Sequence, residues 1–214
     1  PNSLSSVPNI LIQIHIGYYL AILLMDKLSD YIKTFDNLLS LDDCDYMLDW
    51  FHENEDLHED GVVYTSGEGG GSVHIDPEFK LCRQAKVPPD HRISQILTET
   101  TVGAFNNYGK GPENNLHLTG YGIRRYPKGE GVFQTHIDTS SGATVNRIFG
   151  VIIYLNDVEE GGETEFPELN IKIKPKKGRV LIFPCNWMYP HRGNVPISND
   201  KYMSAMFICF SGNH

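Results

Sequence analysis

The stretch LHLTGYGIRRYPKGEGVFQTH, residues 116–136, is where the chain turns to β-structure. Runs of Ile, Val, Tyr and Phe stand between glycine, proline and lysine turn signals, the pattern of short strands that pack one face on a core. The same punctuation recurs downstream and predicts strands over 118–126, 133–136, 146–155, 163–166, 171–174, 179–183, 189–192 and 202–210. Glu160-Gly161-Gly162 and Lys176-Lys177-Gly178 are the clearest turns between them. Many short, closely spaced strands make a sandwich or a jelly roll.

Upstream the pattern is helical. Ser40 followed by Leu-Asp-Asp predicts a capped helix over 41–53, with Tyr46, Met47, Trp50 and Phe51 as its buried stripe. Pro88-Pro89-Asp90 stops what precedes it, and Ile93, Ile96, Leu97, Val102 and Phe105 predict a second helix over 91–108. The expected fold is therefore mainly β with flanking N-terminal helices. It is read as one domain over 26–214, with helical support over 26–115 and a double-stranded β-helix (jelly-roll) core over 116–214.

Two segments stand apart. Residues 66–72, SGEGGGS, have the composition of a loop, either a lid or a linker, and lack the Lys-Ser/Thr ending of a phosphate-binding loop. Residues 10–25, ILIQIHIGYYLAILLM, are strongly apolar but short for a span of about 20 residues. Within the expected N-terminal segment 1–25, they are read as packing on the core, with a trimmed membrane anchor as the alternative.

A chain of 214 residues can bury one sizeable core, and 40% hydrophobic content belongs to a packed protein. Twenty-seven acidic against eighteen basic residues give a net charge of −9, which argues against a nucleic-acid partner held by phosphate neutralisation. Cys44, Cys82, Cys185 and Cys209 are scattered, with no C-x-x-C pair, and are read as buried free thiols. That favours a reducing, cytoplasmic location, with the endoplasmic reticulum or a membrane anchor as the alternative.

The chemistry-bearing residues lie in the β half. His136-Ile-Asp138 puts two ligand-type side chains at i and i+2, on one face of a strand. His191 follows 55 residues later, and an antiparallel barrel can bring its strand alongside. Two imidazoles and one carboxylate form the facial triad of non-haem Fe(II) oxygenases.

Around that triad the sequence resembles the prolyl 4-hydroxylase branch of the Fe(II)/2-oxoglutarate-dependent dioxygenases. The resemblance runs over roughly 120–210, and more loosely from residue 30. Its matching elements, in order, are Arg125-Tyr126-Pro127, His136-Ile-Asp138, Arg147, Tyr154-Leu155-Asn156-Asp157, Gly161 to Pro167, Lys177-Gly178, Phe183, His191-Arg192-Gly193 and Lys201. The resemblance implies a jelly-roll 2-oxoglutarate-dependent oxygenase that takes Fe(II), 2-oxoglutarate and O₂, with ascorbate as an accessory. It implies hydroxylation of an unactivated C–H bond, with a peptidyl proline in a peptide or protein as substrate, and release of succinate and CO₂. It assigns His136, Asp138 and His191 to the metal, Lys201, Tyr126 and Tyr154 to the co-substrate, and Arg147 to the substrate.

A cation at Lys201 suits this assignment, because the far carboxylate of 2-oxoglutarate needs a counter-charge in a poorly solvated pocket. The same lysine separates the assignment from a cupin-like metal protein that uses the triad without 2-oxoglutarate. Two positions depart from the family: Phe133 stands where many members have a tyrosine, and Met206 and Phe207 stand where a tryptophan is common. These departures leave a non-prolyl substrate as the alternative.

Overall fold

Ser40 starts the first helix by local chemistry alone, its Oγ accepting the Asp43 N–H at 3.0 Å while Asp42 and Asp43 face the positive end of the helix dipole. This helix, α1, spans Leu41–Glu53. His91 caps the second, α2, spanning Arg92–Tyr108, and Gly109 ends it in the left-handed conformation. The computed structural model describes residues 27–65, 72–139, 142 and 144–211. The apolar segment expected at 10–25, and all of the glycine loop except Ser72, lie outside the described residues.

The strands before α2 are β1 (Lys33–Phe35), β2 (Glu59–Asp60), β3 (Val63–Thr65), β4 (Ser72–His74), β5 (Lys80–Leu81) and β6 (Arg83–Lys86). Those after it are β7 (Leu116–Thr119), β8 (Gly122–Tyr126), β9 (Val132–His136), β10 (Arg147–Tyr154) and β11 (Thr164–Phe166). They continue with β12 (Ile171–Ile173), β13 (Val180–Pro184), β14 (His191–Gly193) and β15 (Lys201–Phe210). The larger sheet runs β1-β13-β10-β15-β8-β6-β2, with β7 also paired to β15. The smaller runs β12-β11-β14-β9-β5, and β3 and β4 pair with each other. Two antiparallel sheets with crossing connections make the expected jelly-roll core.

Two expectations are corrected in detail. The support over 26–115 is not purely helical, since β1, β2 and β6 extend the larger sheet and β5 the smaller one. The predicted strand over 118–126 is two strands, because Gly120 takes φ +95° and a Cβ there would strike the Ala205 carbonyl.

Alternation along the larger sheet divides the core. Ile123, Val151, Ile153, Val180, Ile182, Met206 and Ile208 pack toward the helices against Met47, Phe51, Ile93, Leu97 and Tyr108. On the other face, Tyr126, Ile152, Tyr154, Leu181, Phe183 and Met203 pack with Phe166 of the smaller sheet. Between the sheets lies a cavity of about 880 Å³.

Candidate active site

The smaller sheet brings the two histidines together. Strands β9 and β14 are antiparallel neighbours in a register that sets His136 opposite His191, with ring centroids 4.4 Å apart. Asp138 follows two residues after His136, just past the end of β9. Each imidazole Nε2 lies 3.6 Å from an Asp138 oxygen, His136 from Oδ1 and His191 from Oδ2. One ligand atom from each of the three residues falls within 4.8 Å of the other two.

The proton positions suit a metal. His136 Nδ1 lies 2.8 Å from the Gln134 carbonyl and His191 Nδ1 3.1 Å from the Tyr189 carbonyl. A carbonyl only accepts, so each Nδ1 carries the hydrogen and each Nε2 lone pair faces the carboxylate. Burial, reinforced by the neighbouring His136, lowers the His191 pKa to about 4 and keeps its ring neutral. Burial opposes the Asp138 charge, yet His191, His136 and Arg147 hold its carboxyl well below the usual range. Cys185 Sγ donates to Asp138 Oδ2 at 3.9 Å.

Aromatic rings fix the imidazoles. Phe133 stacks on His136 at 3.6 Å between centroids, and Phe166 and Phe183 pack on His191. Gly150 of β10 leaves room for the carboxylate, since a Cβ there would lie 2.8 Å from the Phe183 ring and 3.1 Å from Asp138 Oδ2. A two-imidazole, one-carboxylate set facing a cavity matches what Fe(II) requires.

Lys201 opens β15, and alternation with Met203 and Ala205 turns it into the cavity. It is only 1% exposed, its Nζ bonds the Gly162 carbonyl at 2.9 Å, and it stands 4.7 Å from the centre of the Tyr126 ring. No carboxylate pairs with it among the described residues, and burial lowers its pKa to about 8. An unpaired cation in such a place is poised for an anionic ligand. Tyr126 lines the cavity, its phenol pushed well above the usual range by burial and by the Cys82 thiol.

Tyr154 does not line the cavity. It is wholly buried one layer behind, donating its hydroxyl to Thr164 Oγ1 at 2.7 Å, and Thr164 is the residue that faces inward. The motif points to the buried partner of the pair and not to the one that faces the cavity. Arg147 reaches the cavity through a bulge. The register slips between Arg147 and Phe149, setting Arg147 opposite Cys209 and so on the cavity side, where unbroken alternation with Phe149 and Val151 would have turned it toward the helices. Its guanidinium lies 3.8 Å over Phe207 and donates to the Asp138 carbonyl at 3.2 Å. Glu165 takes no part, being held by Asn194 and Arg192 away from the cavity.

Two cavity cations are not evident in the sequence pattern. Arg124 shares a face with Tyr126 at i and i+2, so period-2 alternation along β8 contained the signal. Lys80, 8% exposed, sits in a stretch with no recognisable strand pattern and reaches the cavity only because β5 pairs with β9.

Residues 121–209 match the family model of the 2OG-Fe(II) oxygenase superfamily, a span that includes the triad, Lys201, Tyr126 and Arg147. Over that span the chain is similar to 2OG-Fe(II) oxygenases, and the curated relatives it matches are described as prolyl 4-hydroxylases. It is 40% identical over 58 residues to probable prolyl 4-hydroxylase 11 of Arabidopsis thaliana, a match covering 24% of this chain and 20% of that protein. The matched region is less than a third of the length of the curated relatives. In three dimensions it is similar to the viral collagen prolyl hydroxylase vCPH of Paramecium Bursaria Chlorella virus-1, solved as a 2OG complex. The TM-score is 0.60 and the identity 22%, over 83% of this chain and 95% of that one. A prolyl hydroxylase of Trichoplax adhaerens, solved with a hypoxia inducible factor oxygen degradation domain peptide fragment, aligns at TM-score 0.66 and 18% identity over 92% of each chain.

Proposed function

We propose that this protein is an Fe(II)- and 2-oxoglutarate-dependent oxygenase that hydroxylates an unactivated C–H bond of a peptidyl proline, releasing succinate and CO₂. The observation that carries the proposal is the sharing of one cavity by the His136, Asp138 and His191 donor set and the unpaired buried cation Lys201. The three donors would hold Fe(II) and leave open positions for co-substrate and oxygen. The bound iron supplies the oxidation of the C–H bond.

The protein's own groups bind, orient and keep out water. Lys201 neutralises the far carboxylate of 2-oxoglutarate, steadied by the Gly162 carbonyl and the Tyr126 ring. Tyr154 holds Thr164 against the cavity. Phe133, Phe166 and Phe183 keep both imidazoles in orientation and dry the metal side of the cavity. Arg147, held over the Phe207 ring, is placed to receive a substrate carbonyl.

The peptide substrate is supported by the prolyl hydroxylase likenesses, one of them a peptide complex. A reducing location such as the cytoplasm belongs to the same proposal, supported by all four cysteines being free and buried. The test is anaerobic loading with Fe(II) and 2-oxoglutarate followed by oxygen, with succinate measured with and without a proline-rich peptide and with and without ascorbate. Peptide-stimulated succinate is expected, and its absence from the intact protein under every condition overturns the proposal.

A further inference from the structure

The cavity is charged against the grain of the molecule. Outside it, this chain of net charge −9 pairs its bases freely, Arg125 with Asp200, Arg179 with Asp36 and Lys177 with Asp45. Inside it, Lys80, Arg124, Arg147 and Lys201 all line the wall, and none forms an ion pair with a carboxylate among the described residues, Asp138 acting on Lys80 and Arg147 only from a distance. The other two cations on that wall, Lys86 and Arg192, are neutralised by Glu59 and Glu165.

Backbone oxygens and ring faces are what hold the four. Lys80 Nζ donates to the Val62 carbonyl at 3.2 Å and stands 4.9 Å from the Phe133 centroid. Arg124 donates to the Ala205 carbonyl at 3.4 Å. Burial, and then the like charge of Arg124, lower the Lys80 pKa to about 8. Such a cluster opposes its own burial, and an incoming anion relieves both the desolvation and the repulsion.

Lys201 is committed to 2-oxoglutarate in the proposed oxygenase, so three cations remain. They come from three strands, β5, β8 and β10, and line the same cavity as the triad. Phe133 links one of them to the triad: its ring stacks on His136 and its centroid lies 4.9 Å from the Lys80 ammonium. The cavity, about 880 Å³, is far larger than a five-carbon diacid fills and sits in the upper part of the usual range for ligand pockets.

We infer that Lys80 and Arg124, with Arg147 beside them, select an acidic substrate: a peptide carrying aspartate or glutamate next to the residue that is oxidised. This deepens the proposed oxygenase function and rests on it. Three cations on three strands call for more than one carboxylate, which a peptide segment offers more readily than a single small acid. The aromatic faces of Phe133 and Phe207 beside two of these cations suit the apolar stems and rings of such a segment.

The test compares three fluorescein-labelled proline peptides differing only in their flanks, Asp, Asn or Lys. Each is titrated by anisotropy against the intact protein saturated with Mn(II) and 2-oxoglutarate. The Asp peptide is expected to bind about tenfold or more tighter than its Asn isostere, and the Lys peptide most weakly. Lys80→Met and Arg124→Met should each shrink the Asp-over-Asn preference to within about threefold, and Lys80→Glu should favour the Lys peptide. Free N-acetylproline and free glutamate serve as competitors. Displacement by either as effective as by the Asp peptide would assign the cations to a small acid and overturn the peptide. Equal affinity for the Asp and Asn peptides overturns the inference without any variant. Succinate formed from Fe(II) and 2-oxoglutarate without peptide scores the oxygenase function separately. Succinate without a charge preference sinks only the acidic substrate, whereas a preference without succinate sinks only the oxygenase.

Discussion

Strands β8, β10, β13 and β15 each have two faces, and the two faces obey different rules. Toward the helices they present Ile123, Val151, Ile153, Val180, Ile182, Met206 and Ile208, an apolar surface closed by Met47, Phe51, Ile93 and Leu97. Toward the smaller sheet they present Arg124, Tyr126, Gly150, Phe183 and Lys201, polar, aromatic and bare in turn. The first face stabilises by area buried, so any well-packed apolar set would serve. The second carries the buried Lys201 and the half-buried Arg124 without ion-paired carboxylates and a glycine that admits one carboxylate, none of which helps the fold. One set of strands thus supplies the stability that the other face draws on.

Several changes would break or sharpen that contrast. The largest effect is expected at the proposed metal donors: His136→Ala or His191→Ala should abolish Fe(II)-dependent succinate formation, read beside a circular-dichroism melt that stays cooperative. Activity retained in either variant would remove the triad from the chemistry. On the helix face, Ile153→Ala should cost about 2–5 kcal/mol in denaturant unfolding, since the side chain is fully buried. Metal affinity per folded molecule should stay the same.

Lys201→Met should do the reverse of Ile153→Ala. The affinity for 2-oxoglutarate, measured by calorimetry, should fall about a hundredfold, while the unliganded protein becomes no less stable and melts at the same temperature or higher. A clear loss of stability would mean that the lysine is structural.

The pH dependence of the wild type reads the same residue. With its pKa lowered to about 8 from an ordinary 10.5, Lys201 is charged in both folded and unfolded chains below pH 8, and its burial penalty is then fully present. Between pH 8 and 10.5 the unfolded chain holds the proton and the folded chain does not, so this lysine makes stability rise with pH. The affinity for 2-oxoglutarate should fall over the same rise, because only the ammonium attracts its carboxylate. The smallest effect is expected from Gly150→Ala, whose methyl would press on Phe183 and Asp138. It should weaken Fe(II) by about tenfold with little change in unfolding, distinguishing a ligand moved from a ligand lost.

Much of this is legible in the order of the residues alone. Helix α1 follows from a capping serine and an apolar stripe, signals that act within a few residues. Most strands of the β half follow from alternation and turn residues, and the triad with Lys201 follows from an ordered series of motifs. What stays illegible depends on contacts between distant segments. Strands β1, β2, β5 and β6 are two to four residues long, too short for a period to register, and exist because partners in β13, β6, β9 and β8 complete their hydrogen bonds. Tyr154 reads as a co-substrate residue because its position matches the motif. Its hydroxyl is spent on Thr164, and only the packing of β11 against β10 reveals that.

The sequence by itself determined the donor set, its order along the chain and the β-rich half that carries it, because hydrogen-bonding type, ligand chemistry and alternation are properties of neighbouring residues. Tertiary structure decided which cations share a cavity and which have lost their carboxylates. A bulge turns Arg147 inward, β5 carries Lys80 in beside β9, and alternation on β8 adds Arg124. Charge in a sequence is only a sum, −9 here, whereas charge at a site depends on which groups folding leaves facing one another.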